Sequence, residues 1–161
     1  MTLDTARKLV KENGVEFFLC SFVEMSGAPK AKVVPAAHLE TMAVEGAGFA
    51  GFAAGEIGQS PHDPDMACIP DFSSLTVVPW RSNIAWVAGD INVNNEEWPF
   101  CPRTILRRQL KKCEDQGYTV NIGVEAEFML LKQDEGGNYL PWDELDTLGK
   151  PCYDLRTLHR N

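Results

Sequence analysis

The run from Asn121 to Leu131, NIGVEAEFMLL, restricts the possible fold more than any other part of the sequence. It is apolar enough to form a buried β-strand, yet it contains two carboxylates, Glu125 and Glu127. Side chains at positions i and i+2 of a strand leave the same face of a sheet, so we expect these two carboxylates side by side. Two like charges at that spacing repel each other unless a positive group lies between them.

The spacing leaves two interpretations of the pair open. Alternation is the ordinary pattern of a half-buried strand, in which Val124, Ala126 and Phe128 face the core and the two glutamates face water. Alternatively, the pair binds a divalent metal ion, because hard cations such as Mg²⁺ take carboxylate oxygens as ligands. The spacing alone favours the solvated face.

Composition limits the kind of protein and its partners. The chain has 161 residues and a formal net charge of −8, which argues against a nucleic acid or an anionic membrane as partner. No apolar run approaches the roughly 18 residues of a membrane span. The five cysteines are odd in number and lack a CxxC spacing, which fits free thiols in a reducing compartment. We therefore expect a cytoplasmic protein.

Local patterns predict an α+β fold, because strands and helices do not alternate regularly along the chain. Gly14, Gly46 and Gly117 are placed to end helices, and Pro102 suits a first helical turn. Helices are predicted at residues 5–13, 37–46 and 101–117, and strands at 15–25, 31–35, 73–80, 83–92 and 118–132. Residues 46–66, rich in Gly, Ala and Pro, are predicted to form a long loop, and loops of this length are often functional.

The predicted helix at residues 101–117 carries both an apolar face and a basic stripe. One face, which is expected to pack on the rest of the protein, contains Ile105, Leu106, Gln109, Leu110 and Cys113. The basic run from Arg107 to Lys112 is expected to be a solvated face or a subunit contact, since the chain as a whole is acidic.

Several segments, taken in order, resemble the glutamine synthetase family. GVEAEF matches that family's G-x-E-x-E-F strand, and DPDMACIPD matches its D-M-x-x-x-P-D segment. The segments that carry the resemblance are GAGF, DPDMACIPDFSSLTVVPW, AGDI, CPRTILRRQLKKCEDQGY and GVEAEFMLL. They are most similar to the branch that includes type III-like glutamine synthetases and γ-glutamylmethylamide synthetases.

The resemblance implies a domain organisation and a metal site. It implies an N-terminal helix at 1–14, a β-grasp domain at 15–99 and the beginning of a larger catalytic domain at 100–161. In the family, both glutamates of the matching strand are metal ligands. That role carries over to Glu125 and Glu127, with Mg²⁺ or Mn²⁺ as the metal, and it reverses the preference that spacing alone gives.

The resemblance also implies a reaction. Family members phosphorylate the γ-carboxylate of glutamate with ATP and then join it to ammonia or, in one branch, methylamine. Metal ions supply positive charge where this phosphoryl transfer collects negative charge. The family's proteins are homo-oligomers with active sites between subunits, and their nucleotide site lies mostly beyond the region matched here. We therefore expect residues 1–161 alone to be inactive; the alternative is a non-catalytic β-grasp interaction module or a truncated pseudoenzyme.

The loop at 46–66 departs from the family's pattern. Typical glutamine synthetases read F-D-G-S-S there, and the aspartate binds ammonium and accepts its proton. Ala50 stands at the aspartate's position in this chain. Either the loop has drifted, or the loss of the carboxylate makes room for a substituted amine. Glu56, Asp63 and Asp65 are the candidate replacement carboxylates, and no residue of this chain is assigned to the nucleotide.

Overall fold

The computed structural model describes residues 2–55, 59–144 and 155. In chain order, their helices and strands are α1 (Leu3–Asn13), β1 (Phe17–Val23), β2 (Pro29–Pro35), α2 (Leu39–Glu45), β3 (Ala47–Phe49), β4 (Met66–Pro70), β5 (Thr76–Val77), β6 (Ile84–Val93), β7 (Glu96–Glu97), α3 (Pro102–Asp115), β8 (Leu131–Gln133) and β9 (Tyr139–Pro141). Separate helices and a mixed sheet confirm the α+β class.

The chain divides into two compact units, Met1–Val120 and Asn121–Asn161. The first contains a seven-stranded sheet and the three helices, and the second contains the antiparallel hairpin of β8 and β9. The predicted domain limits at 14/15 and 99/100 stay predictions.

The main sheet is arranged around β6. The strand order is β2-β1-β6-β4-β3, and β5 and β7 also pair with β6. β1 runs parallel to β6 and antiparallel to β2, whereas β4, β5 and β7 are antiparallel to β6. A turn between β1 and β2, with Gly27 at φ +88°, makes their hairpin possible because an L side chain rarely adopts that conformation.

Alternate residues of the central strands form the core. Phe18, Cys20 and Phe22 of β1 are buried, as the two-residue period of a strand requires. From the other elements the core receives Ala6, Leu39, Met42, Met66, Cys68, Ala85, Val87 and Ile91. The two edges of the sheet also approach each other, because Lys32 Nζ of β2 donates a hydrogen bond to the Gly48 carbonyl of β3 at 2.7 Å.

The predicted helix-ending glycines and the position of Pro102 are confirmed, whereas α1 begins at Leu3 and not at the predicted residue 5. Thr2 accepts a hydrogen bond from the Thr5 amide at the start of α1, and Gly14 ends that helix at φ +64°. Pro102 occupies the first turn of α3, and Gly117 follows that helix at φ +81°. Capping is local chemistry, which explains why sequence located these ends well.

The predicted strand at 118–132 is wrong for most of its length. Only Leu131–Gln133 is a strand, and residues 118–130 have no regular secondary structure. Val124 and Phe128, expected in the core, are 92% and 80% exposed. A strand needs a hydrogen-bonded neighbour and a surface to cover its apolar side chains, and the described residues supply neither to this segment.

Two further expectations need correction. The segment at 46–66 is not a loop throughout, because β3 pairs with β4 at its start and forms an edge of the sheet. In α3, the face carrying Leu106 and Leu110 is partly exposed, and Thr104 is the buried residue instead.

We expect Gly89→Ala to destabilise the sheet. A Cβ at position 89 of β6 would run into Cys68 Sγ and lie 2.7 Å from the Ile69 carbonyl oxygen. Relief requires shifting β4 against β6, so the free energy of unfolding in urea should fall by about 1–3 kcal/mol. Gly48→Ala is the matched control, because a Cβ there meets nothing within 4 Å. Equal losses in the two variants would contradict this explanation.

Candidate functional site

Ala50 lies where the edge strand β3 gives way to a tight turn. Its backbone is extended, and its carbonyl accepts a hydrogen bond from the Ala53 amide at 3.0 Å, within the 3₁₀ turn Gly51–Ala53. The preceding residue, Phe49, packs edge to face on Phe22 of β1 with the ring centroids 5.0 Å apart. The core therefore fixes the strand that carries the turn.

Gln59 folds back over this turn. Its Nε2 donates to the Pro64 carbonyl at 3.4 Å, and its Oε1 is buried without a hydrogen-bond partner among the described residues. A Cβ at position 51 would coincide with this carboxamide, so Gly51 is required for the approach. Sequence reasoning did not single out Gln59, since nothing local marks an amide that packs on a residue eight positions away.

Glu24 is the carboxylate that lies against the far end of this turn. A Cβ at Gly55 would be 3.4 Å from its side chain. The Glu24 carboxylate accepts hydrogen bonds from the Ser26 hydroxyl, from the Ser26 amide at 2.8 Å and from the Ala28 amide at 3.1 Å. These bonds, led by the Ser26 hydroxyl, hold the pKa of Glu24 below its ordinary value. The negative charge of Glu24 therefore stabilises the β1–β2 turn.

The candidate replacement carboxylates are not gathered around Ala50. Asp63 accepts a hydrogen bond from the Ser60 amide at 2.5 Å. This hydrogen bond is the main reason why the pKa of the Asp63 carboxyl is lowered. Asp65 is exposed. No hydrogen bond or ion pair in the described part of the chain joins either aspartate to the Ala50 turn, and Glu56 lies outside the described residues.

Glu125 and Glu127 are both exposed in the segment without regular structure. Within residues 2–55, 59–144 and 155, no three or more His, Cys, Asp or Glu side chains form a group that could hold a metal ion. The shared strand face that their spacing predicts is not formed here. Their role as metal ligands stays a prediction.

Three family motifs meet in a cluster that sequence reasoning missed. Asp71 ends DPDMACIPD, Asp90 belongs to AGDI, and Arg103 follows CP. Arg103 bonds Asp71 at 2.6 Å and Asp90 at 3.1 Å, and Arg107 bonds Asp90 at 2.6 Å. We call these four residues the Arg103 cluster. It ties the first turns of α3 to β6 and to the end of β4.

Arg107, Arg108 and Lys111 of the basic stripe of α3 form ion pairs with acidic side chains. Arg107 and Arg108 both approach Glu97 of β7, at 3.7 and 3.9 Å, and Lys111 bonds Asp115 at 2.6 Å. These pairs agree with the predicted solvated face. The sequence contains a basic helix and acidic residues at strand ends, which indicates that ion pairs form between them. It does not indicate which residues pair.

The described cysteines and helices bear on two composition-based expectations. Cys20, Cys68, Cys101 and Cys113 are free thiols, as predicted, and Cys152 lies outside the described residues. Among the residues described, no helix combines the length and apolar character needed to cross a membrane.

We expect Asp71→Asn to destabilise the protein in a pH-dependent way. Hydrogen bonds from Ser73, together with Arg103, lower the pKa of Asp71. A carboxylate with a lowered pKa stabilises the fold above its unfolded pKa of about 3.9 and loses that effect as the pH falls through the folded value. The variant should lose roughly 1 kcal/mol at pH 7 and progressively less as the pH falls below about 3.9. Exposed Asp65→Asn is the control; a pH-independent loss for Asp71→Asn would refute this assignment.

Comparison with known proteins identifies the family. The glutamine synthetase catalytic-domain model matches residues 99–156. The chain is 40% identical over 161 residues to a glutamate–methylamine ligase of Methyloversatilis universalis and 37% identical over 160 residues to a glutamine synthetase of Rhizobium leguminosarum bv. phaseoli; each match covers 99% of this chain and 36% of the relative.

Solved structures agree with these matches in sequence. Ligand-free GmaS superposes with a TM-score of 0.77 at 36% identity, covering 94% of this chain and 35% of that one. A GmaS–ADP complex gives the same TM-score at 35% identity, with 96% and 35% covered. The chain spans about a third of the length of the relatives it matches. The resemblance seen in the sequence is confirmed, and the chain belongs to the glutamine synthetase family.

Proposed function

We propose that this chain forms part of an ATP-dependent ligase that joins glutamate to ammonia or methylamine. The observation that carries the proposal is the similarity, along nearly the whole chain, to a glutamate–methylamine ligase and to glutamine synthetases. In this reaction a glutamate γ-carboxylate oxygen attacks the γ-phosphorus of ATP, and ADP leaves. The amine nitrogen then attacks the acyl phosphate carbon, and phosphate leaves as the amide forms.

Glu125 and Glu127 suit the divalent metal that such chemistry needs. Both carboxylates are exposed, and neither makes a hydrogen bond or ion pair with another described residue. Carboxylate oxygens are the ligands that Mg²⁺ and Mn²⁺ prefer. A bound metal ion would supply positive charge to the phosphate oxygens. Two carboxylates fall well short of about six ligands, so residues 1–161 alone are inactive under this proposal.

The domain organisation belongs to the same proposal. A β-grasp domain at 15–99 is supported by the β1–β2 hairpin, the helix α2 and the return of β6 parallel to β1. A catalytic-domain beginning at 100–161 is supported by the range that the family model matches. We place the enzyme in the cytoplasm, as a homo-oligomer whose subunits share active sites.

A non-catalytic interaction module is the competing function. One observation favours it: in the described part of the chain, no set of three or more candidate ligands gathers at one point. The two functions differ in what they require of Glu125 and Glu127, because an interaction module does not depend on their metal affinity.

We expect Glu125→Gln and Glu127→Gln, each made in the full-length protein, to abolish glutamate-dependent ATP hydrolysis. An amide keeps the side-chain shape but removes the negative charge that holds the metal, so activity should fall by at least about 100-fold. Binding of Mn²⁺, followed by electron paramagnetic resonance, should weaken in parallel. Glu135→Gln, an exposed glutamate in the β8–β9 turn, is the control. Unchanged activity in both site variants would favour the interaction module.

We expect the full-length enzyme to prefer methylamine, and Ala50→Asp to shift that preference towards ammonia. The added carboxylate attracts ammonium and fills space that a methyl group would use. The ratio of kcat/KM for the two amines should change by roughly 10- to 200-fold. Ala53→Asp, which adds the same charge at an exposed position of the turn, is the control. A wild-type enzyme that prefers ammonia, with both amines unaffected by Ala50→Asp, would mean that the loop has drifted.

A further inference from the structure

We propose that a cavity on the face of the main sheet opposite the core binds a small aromatic carboxylate: Trp80 and Trp86 pack on its ring, and the Arg81 guanidinium donates hydrogen bonds to its carboxylate.

The floor of the cavity is a row of side chains from three neighbouring strands. Leu19 of β1 and Thr76 of β5 both lie beside Trp86 of β6 in the register of the sheet, so the three side chains leave the same face. The core lies on the other face, which receives the alternate residues Phe18 and Ala85. Trp86 is 39% exposed, so the floor presents an indole ring to solvent.

The turn that connects β5 to β6 forms a wall beside this floor and carries Trp80 and Arg81. Backbone hydrogen bonds of 2.9 Å close the turn, from the Val78 amide to the Ile84 carbonyl, from the Arg81 amide to the Val78 carbonyl and from the Ile84 amide to the Arg81 carbonyl. The indole of Trp80 is nevertheless 86% exposed. The cavity has a volume of about 490 Å³, which lies within the range of sites for small molecules.

Arg81 supplies a positive charge that no described side chain neutralises. It makes no ion pair or side-chain hydrogen bond with a described residue, although the chain has more acidic than basic side chains. Each of the other arginines in the described part of the chain forms an ion pair: Arg7, Arg103, Arg107 and Arg108. A ligand that carries a carboxylate would give Arg81 the partner that the described residues do not.

An anion in the cavity meets no repulsion from the residues that line it. Among the described residues, none of the lining side chains is acidic. Glu16, which precedes β1, accepts a hydrogen bond from the Asn83 side chain at 3.0 Å and does not line the cavity. The site therefore favours a negative ligand over a neutral or positive one.

The lining also specifies the body of the ligand. A planar guanidinium matches the two oxygens of a carboxylate, and an indole ring packs favourably on another aromatic ring. A carboxylate without a ring would leave the indoles of Trp80 and Trp86 exposed, and a ring without a carboxylate would leave Arg81 unpaired. An aromatic carboxylate uses all three side chains.

The test uses the full-length protein and isothermal titration calorimetry, with phenylacetate, benzyl alcohol and acetate as the probes. Benzyl alcohol keeps the ring, and acetate keeps the carboxylate. Phenylacetate should bind about 10-fold more tightly than either, because the ring contact and the charged hydrogen bonds act together. The measurement is a heat of binding, so its result does not depend on whether the protein ligates an amine.

Two substitutions separate the contributions of charge and ring. Arg81→Gln should weaken phenylacetate binding about 10-fold and leave benzyl alcohol unaffected. Trp80→Leu should weaken the binding of both aromatic probes about 2- to 10-fold. Both residues are exposed, so we expect the variants to fold. The matched controls are Lys11→Gln, at an exposed cation of α1, and Trp142→Leu, at an exposed indole of the second unit; both should bind all three probes as wild type does.

Equal affinities of wild type and Arg81→Gln for phenylacetate, or equal affinities of wild type for phenylacetate and benzyl alcohol, would overturn the inference. A full-length protein that does not bind phenylacetate would overturn it as well. In that case, a lower assembly mass for Trp80→Leu than for wild type in light scattering would identify a second copy of the chain as the occupant of this face.

Discussion

The backbone hydrogen bonds of β6 hold the main sheet together. This ten-residue strand pairs with β1 over its first half and with β4 over its second, and β5 and β7 also bond to it. This pairing requires the backbones of β6 and β4 to approach closely, and Gly89 permits that approach because it has no Cβ. The Ala50 turn depends on the same arrangement, because it follows β3, β3 pairs with β4, and β4 pairs with β6.

The Arg103 cluster positions α3 on the main sheet. Ion pairs near the surface contribute little stability individually, since water screens them and ordering the side chains costs entropy. Asp90 is only 16% exposed, however, and it bonds two arginines from successive turns of α3. Its geometry therefore sets where α3 begins relative to β6. The three motifs DPDMACIPD, AGDI and CPRTILRRQLKKCEDQGY each contribute a residue to this cluster. Their ion pairs give a physical reason why the three motifs occur together in one chain.

The sequence predicted those features that local chemistry determines. The ends of α1 and α3 were correct because Gly14, Pro102 and Gly117 act on their own backbone. The strands predicted at 15–25 and 31–35 contain β1 and most of β2, and the turn between them depends on the local chemistry of Gly27. The predicted strand at 118–132 was wrong because alternating apolar residues indicate only which side chains a strand would bury. Strand formation also requires a hydrogen-bonded neighbouring strand. β3 and β4, the Arg103 cluster and the Gln59 contact were missed because each depends on residues distant in sequence.

The Ala50 turn and the Glu125/Glu127 pair, which belong to different compact units, consequently depend on different interactions. The Ala50 turn is shaped within its own unit, by the Phe49–Phe22 contact, by Gln59 and by the tightly bonded β1–β2 turn, so substitutions there act on a preformed structure. Glu125 and Glu127 have no such support among the described residues, and two exposed carboxylates without a rigid frame hold a cation weakly. Under the proposed function, metal affinity therefore comes mainly from further ligands that complete the site. Under the proposed function, by contrast, amine preference is set by the local packing around Ala50.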